Sequence, residues 1–304
     1  MADKRISLWS FWAPRYWPVW LGLGAMRLGA ALPFAWQQRI GAAIGRLALR
    51  LIGRRRDIAR DNLAACFPNL SDDERRELLQ SHFESVGKGL MEIAYGWWGR
   101  PGDFARLGRV HGLEHMTDAL AQGRGAVLLA GHFTTIEIGG TILAHLIPMD
   151  AMYRRFENPL FEEVMRRNRL RHVDKMHQRG DFRGMLRSLK ANRAVLYMPD
   201  QAYVRSNSVS VPFFGIDAPT STGTSRLVAR SGARVVPFLP IRRSDGSGYD
   251  LHLFQALDNF PSDDETADAA RLNALFEEQA RRAPEQYLWV HRRFKGVAGI
   301  YDKR

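Results

Sequence analysis

Three short apolar runs constrain this chain more than anything else in it. AVLLA at 126–130, AVLYM at 194–198 and RVVPFLP at 234–240 are too short for core helices and too continuous for half-exposed strands. Such runs belong to strands buried on both faces, as in the interior of a largely parallel sheet. Helical spacing recurs around them, at roughly 135–147, 159–171, 181–192, 222–231 and 264–283. The alternation predicts an α/β fold, a central mostly parallel or mixed sheet flanked by helices. LHLFQAL at 251–257 adds a strand, reached through the turn SDGSG at 244–248. Ser71-Asp72-Asp73-Glu74 is a capping box, and the helix it opens carries apolar residues from Leu78 to Ile93.

The amino-terminal part has a different character. Residues 17–36, WPVWLGLGAMRLGAALPFAW, are long enough to cross a bilayer and hold one charge, Arg27, which opposes insertion. In residues 37–56, Arg39, Arg46 and Arg50 share a helical face, with Ile40, Ile44, Leu47 and Leu51 mostly opposite. That pattern suits a helix lying among lipid headgroups. The expected organisation is therefore a membrane-anchoring segment, 1–56, and a body, 57–304, facing the cytoplasm.

Charge is localised. The chain carries +12, and residues 1–60 hold eleven Lys/Arg against two acids, residues 151–193 twelve against five. Two anionic contacts are expected, with a membrane, an acidic protein or phosphate groups. No nucleic-acid motif accompanies the charge. A single cysteine, Cys66, excludes an intrachain disulfide framework.

His132 and Glu137, in AGHFTTIEIGG, form the main candidate site. Spacing alone carries little, because His145 and Asp150 repeat it inside an apolar helical run. His132 differs in following a buried strand and a glycine, where open α/β sheets bind ligands. On one continuous helix, residues five apart diverge by about 140°. The pair can meet only if His132 precedes the helix and Glu137 lies in its first turns, with Thr134 or Thr135 as N-cap. No Gly-x-Ser-x-Gly elbow occurs. Cys66 reads as a core residue, and His111 with His115 lacks a third metal ligand. No metal or cofactor is implied. A histidine with a carboxylate then suits general-base activation of a hydroxyl that attacks an activated acyl group.

The chain resembles the lipid A biosynthesis acyltransferases of Gram-negative bacteria, in particular the lauroyl-type late acyltransferases. The resemblance runs through PRYWPVWLG, NLAACFPNLSDDERR, FESVGKGLME, GHFTTIE, YRRFENPLFE, YMPDQ, SVPFFG, TGTSRLVARSGARVVPF and PEQYLWVHRRFK in this order. It implies transfer of a fatty acyl chain, laurate in that branch, from acyl carrier protein to a hydroxyl of the Kdo2-lipid IVA precursor. The reaction would occur at the cytoplasmic face of the inner membrane, with His132 and Glu137 as catalytic dyad. It also implies acceptor-phosphate contacts at Arg154, Arg155 and Asn158, for which guanidinium is well suited. Asp200 follows a strand end and is expected at the same cleft, holding Arg154 or Arg155 or capping a turn. Arg292 and Arg293 are candidate headgroup contacts. Gly131 departs from the bulkier residue usual before the histidine. Other readings remain open: a lysophospholipid or other glycolipid acceptor, or a non-catalytic lipid- or carrier-binding protein.

Overall fold

A computed structural model describes residues 6–204 and 207–301. Residues 1–5 of the expected anchor lie outside that range. After two short 3-10 turns come α1 (Trp17–Ala30), α2 (Phe34–Leu51), α3 (Gly53–Cys66), α4 (Asp72–Trp98) and α5 (Pro101–Leu107). The body then alternates: β1 (Gly108–His111), α6 (Leu113–Ala121), β2 (Ala126–Ala130), α7 (Ile136–Ala144), β3 (Met149–Tyr153), α8 (Pro159–Arg169), β4 (Met176–Gln178), α9 (Phe182–Lys190) and β5 (Ala194–Tyr197). A separate antiparallel hairpin, β6 (Ser208–Phe213) and β7 (Ile216–Ser221), leads to α10 (Gly223–Ser231), β8 (Arg234–Arg242), β9 (Tyr249–Leu253) and α11 (Glu265–Arg282).

Seven strands form one mixed sheet in the order β1-β9-β8-β2-β5-β3-β4. All neighbours are parallel except β8 and β9, which the expected turn joins as a hairpin. β2 lies in the middle and is buried at every position, as its unbroken apolar run requires. Val127 and Leu129 face a core shared with α3, α4 and α11; Leu128 and Ala130 face another shared with α6 and α7. Ser71 and Glu74 close the capping box of α4 reciprocally.

The helix expected over 17–36 is not continuous. α1 ends at Ala30 and α2 begins after Pro33, whose ring cannot continue a helix. At 14 residues α1 is about 21 Å long, short of the roughly 30 Å hydrocarbon layer. Among the described residues no helix is long and apolar enough to cross a membrane. α2 instead packs on α4 through small residues. A Cβ on Gly45 would lie 2.0 Å from the Phe83 carbonyl, and one on Gly87 2.1 Å from that of Gly41. Ile44, Leu47 and Leu51 are left facing outward.

Candidate active site

The register of two central strands builds the site. β2 and β5 run parallel with Leu129 beside Tyr197, and three residues on from each stand His132 and Asp200. The Asp200 carboxylate is buried and receives three donors. Oδ1 lies 2.5 Å from His132 Nδ1. Oδ2 accepts the His132 main-chain N–H at 2.9 Å and the Tyr287 hydroxyl at 3.0 Å. Burial opposes the Asp200 charge, but the charge and hydrogen bonds of His132, with Tyr287, hold its carboxyl below the ordinary range. Burial and the charge of Asp200 push the Tyr287 hydroxyl well above its ordinary value, so it remains a donor. The segment around Tyr287 also grips the loop: Leu288 N–H donates to the His132 carbonyl at 2.9 Å, and Thr134 N–H to that of Gln286 at 2.8 Å.

His132 precedes α7 and Glu137 lies in its first turn, as expected, yet the two make no hydrogen bond. Glu137 is claimed by other groups. Arg169 at the end of α8 donates to both of its oxygens, at 2.8 and 2.7 Å, and Trp97 Nε1 donates at 2.9 Å. Burial would raise the Glu137 carboxyl, but the guanidinium and these bonds outweigh it and hold the group ionised. The carboxylate that orients the imidazole is therefore Asp200, delivered by the adjacent strand. Nor is α7 capped by a threonine side chain. Thr135 occupies the cap position, but its hydroxyl donates to the Pro240 carbonyl at 2.7 Å and ties the helix to β8.

His132, Glu137, Arg169 and Arg154 all line one cavity of about 510 Å³ at the carboxyl ends of β2, β5 and β3. Its remaining wall is mostly apolar, from α4 (Leu90, Ile93), α7 (Ile136) and β3 (Met152). This combination of apolar wall and few convergent polar groups is typical of a small-molecule site. The exposed side chains of Leu90 and Phe156 belong to it.

The other expected site residues divide. Arg154 lines the cavity and Arg155 is exposed outside it. Asn158 serves the helix instead of a ligand, since its side-chain oxygen caps α8 by accepting from Leu160 and Phe161 N–H, both at 3.1 Å. Arg293 is not a headgroup contact. It is buried, donates to the Pro219 carbonyl, Thr220 and Asn273, and lies over Phe213. Arg292 stacks on Tyr301 at 4.7 Å, away from the cavity. Asp200 is at the cleft as expected, but holds His132 rather than an arginine or a turn. His145 bonds locally at the Thr141 carbonyl, 2.8 Å away, and closes its own helix. Burial pushes the Cys66 thiol far up, which leaves it inert. No metal-binding cluster exists among the described residues. Arg169, Trp97 and Tyr287 escaped sequence reasoning because no local spacing links them to partners 32, 40 and 87 positions away.

Comparison with known proteins gives a consistent result. Residues 5–296 match the family described as bacterial lipid A biosynthesis acyltransferase. The chain is 42% identical over 283 residues to the lipid A biosynthesis lauroyltransferase of Escherichia coli K12, covering 93% of this chain and 92% of the relative. It is 38% identical over 296 residues to the palmitoleoyltransferase of the same organism, covering 96% of each. A lipid A biosynthesis acyltransferase of Haemophilus influenzae is 38% identical over 289 residues, 94% of this chain and 92% of the relative.

Proposed function

The chain belongs to the bacterial lipid A biosynthesis acyltransferase family, and we propose that this O-acyltransferase moves laurate from acyl carrier protein to a hydroxyl of a Kdo2-lipid IVA-type glycolipid. One observation carries the reading: His132 is fixed through Nδ1 on a buried carboxylate while its ring lines a largely apolar cavity. With Nδ1–H donated to Asp200, Nε2 holds the basic lone pair. Nε2 removes the proton of the acceptor hydroxyl as its oxygen attacks the thioester carbonyl. Asp200 stabilises the imidazolium that forms. The tetrahedral intermediate collapses, the C–S bond breaks, and the carrier thiolate takes the proton from Nε2. In the first turn of α7 the Ile136 N–H donates to the Phe133 carbonyl at 3.1 Å, and those of Glu137 and Ile138, which have no intrahelical partner, suit the transient oxyanion. Glu137 acts through Arg169, holding its positive charge in the cavity wall.

The reading places the reaction on a lipid surface, the cytoplasmic face of the bacterial inner membrane. Twelve of the seventeen large apolar side chains exposed among the described residues lie between Ile6 and Ile52, interspersed with Arg15, Arg27, Arg39, Arg46 and Arg50. Apolar side chains with a basic fringe support attachment in the plane of the interface.

The test is transfer from labelled lauroyl acyl carrier protein to purified Kdo2-lipid IVA, with lysophospholipid as competitor. The glycolipid should be acylated preferentially; preference for lysophospholipid would overturn the acceptor assignment. His132→Ala should lower turnover by on the order of 10²–10⁴, and His145→Ala should leave it near wild type. Equal losses at both positions would remove His132 from its role.

A further inference from the structure

Three arginines are buried among the described residues. Arg242 holds Glu92, 2.6 Å from Nε, and Arg166 holds Glu163, 3.3 Å from Nη2. Arg293 is the most deeply buried of the three, at 2% exposure, yet its acceptors are all neutral. Nη1 donates to the Pro219 carbonyl at 2.9 Å, and Nη2 to the Thr220 hydroxyl and the Asn273 side-chain oxygen, both at 2.9 Å. The guanidinium lies over the Phe213 ring at 4.9 Å, and Nε has no partner. A buried charge without a contacting counter-ion is costly, so its surroundings must supply the opposite sign.

The opposite sign comes from the active site. Arg293 and Asp200 both line a small cavity of about 10 Å³ behind His132, together with Tyr287 and His291. Burial pushes the Arg293 guanidinium below its ordinary value, and the nearby Tyr287 and Asp200 oppose that shift. An arginine keeps its proton even so. The other titratable groups here are neutral. Burial and Asp200 hold the Tyr287 hydroxyl protonated. Burial keeps His291 uncharged down to about 4, keeps Cys66 a thiol and raises Tyr301 to about 12. Arg55 bonds the Val290 carbonyl at 3.0 Å from an exposed position, where solvent screens it. Across the reacting cavity the charges of Glu137 and Arg169 cancel. What faces His132 from behind is one buried negative charge, Asp200, and one buried positive charge, Arg293.

His132 and Asp200 touch at 2.5 Å, so they bind protons as a unit. A lone buried carboxylate favours a proton on the ring beside it. An imidazolium at rest has no lone pair with which to accept the acceptor's proton. A fixed cation on the far side of the carboxylate works against that resting proton. We propose that Arg293 is a positioning residue whose buried charge balances Asp200 and keeps the His132–Asp200 pair from taking up a proton before the acceptor hydroxyl gives one up. This role rests on general-base catalysis by His132, as proposed above.

The pH dependence of kcat/KM for acyl transfer, measured on the full chain in detergent, tests it. Losing the cation favours the protonated pair, so Arg293→Gln should move the acid limb of the profile up by about one pH unit. Above that limb the rate should recover toward wild type. Arg293→Lys keeps the charge while changing the hydrogen bonds, and should leave the limb in place even if the protein melts lower. An unmoved limb in Arg293→Gln, or a loss equal at every pH, would make Arg293 a structural residue and overturn the proposal. Should the Gln variant not fold, the wild type decides. In histidine-labelled protein, the NMR signals that His132→Ala removes should be those of a neutral ring at about pH 7.5. A resting imidazolium at that pH would overturn the proposal as well. Turnover that survives His132→Ala would remove the base itself and both readings with it, whereas a limb that ignores residue 293 in an enzyme dependent on His132 removes this one alone.

Discussion

Asp200 serves three donors with one buried carboxylate, and each of the three fixes something different. The Nδ1 contact selects the tautomer of His132, the main-chain N–H sets the loop, and the Tyr287 hydroxyl holds the carboxylate still. An amide at this position keeps one acceptor atom and faces the other donors with N–H groups. If its oxygen serves Nδ1–H, its nitrogen opposes the His132 main-chain N–H, and no charge remains to stabilise an imidazolium. Asp200→Asn should therefore lower kcat by on the order of 10²–10⁴ with a much smaller change in KM. Near-wild-type turnover in steady-state acyl transfer would show that the ring does not depend on Asp200. This pairing was partly legible in the sequence. AVLLA and AVLYM are both strands, and His132 and Asp200 each stand six residues after the first alanine of their run. Parallel pairing of the two runs in register puts the two side chains together. Glu137 drew attention because it is close in the chain, yet proximity in sequence says little once α7 turns it toward α4 and α8. Tyr287 had no such signal, since it reaches Asp200 from 87 residues away.

At the scale of elements, α2 carries a third face that its apolar and basic pattern did not announce. Its apolar and basic residues segregate, but the face that packs on the protein is neither of these. It is the small-residue face of Gly41, Ala42 and Gly45, which lets the backbone approach α4. Ile44 and Leu47 are thereby free to meet another apolar phase, and Arg39, Arg46 and Arg50 remain exposed. Burying each of the two aliphatic side chains in lipid contributes roughly 1.5–3 kcal/mol. The double variant Ile44→Asp/Leu47→Asp should lose at least about tenfold in binding to anionic phospholipid vesicles, measured by co-sedimentation, with an unchanged circular dichroism spectrum. Vesicle binding equal to wild type would place the contact elsewhere, on α1 or the preceding tryptophans. The break between α1 and α2 was readable from Pro33 alone. Hydropathy summed over residues 17–36 hid it, because a window average takes no account of where a proline falls.

The whole molecule is built to be stable with its buried histidines neutral. His82 is fully buried in α4, donates from Nδ1 to the Glu285 carbonyl at 3.2 Å, and has no partner for Nε2. Burial pulls its pKa down to about 4. Burial likewise holds His291, behind the active site, at about 4. Each binds its proton more readily in the unfolded chain, near the ordinary 6.5. The neutral form is thus fully favourable above about pH 6.5, and stability is lost as pH falls from there toward 4. The depressed carboxyls of Asp200 and Glu137 act in the same direction at still lower pH, because the unfolded chain takes up those protons before the folded one does. For His82 the loss approaches about 3 kcal/mol at pH 4, a large part of the roughly 5–15 kcal/mol that holds a typical domain together. The melting temperature should therefore be flat from about pH 8 to 7 and fall steeply between about 6.5 and 4. His82→Gln keeps a donor for the Glu285 carbonyl and removes the titrating group. Followed by circular dichroism, that variant should melt lower than wild type at about pH 7.5 but show a shallower decline below about pH 6.5, so that the two curves converge as acid is added. Parallel curves would mean that His82 does not carry the acid sensitivity and would shift it to His291, at the back of the site where catalysis and stability meet.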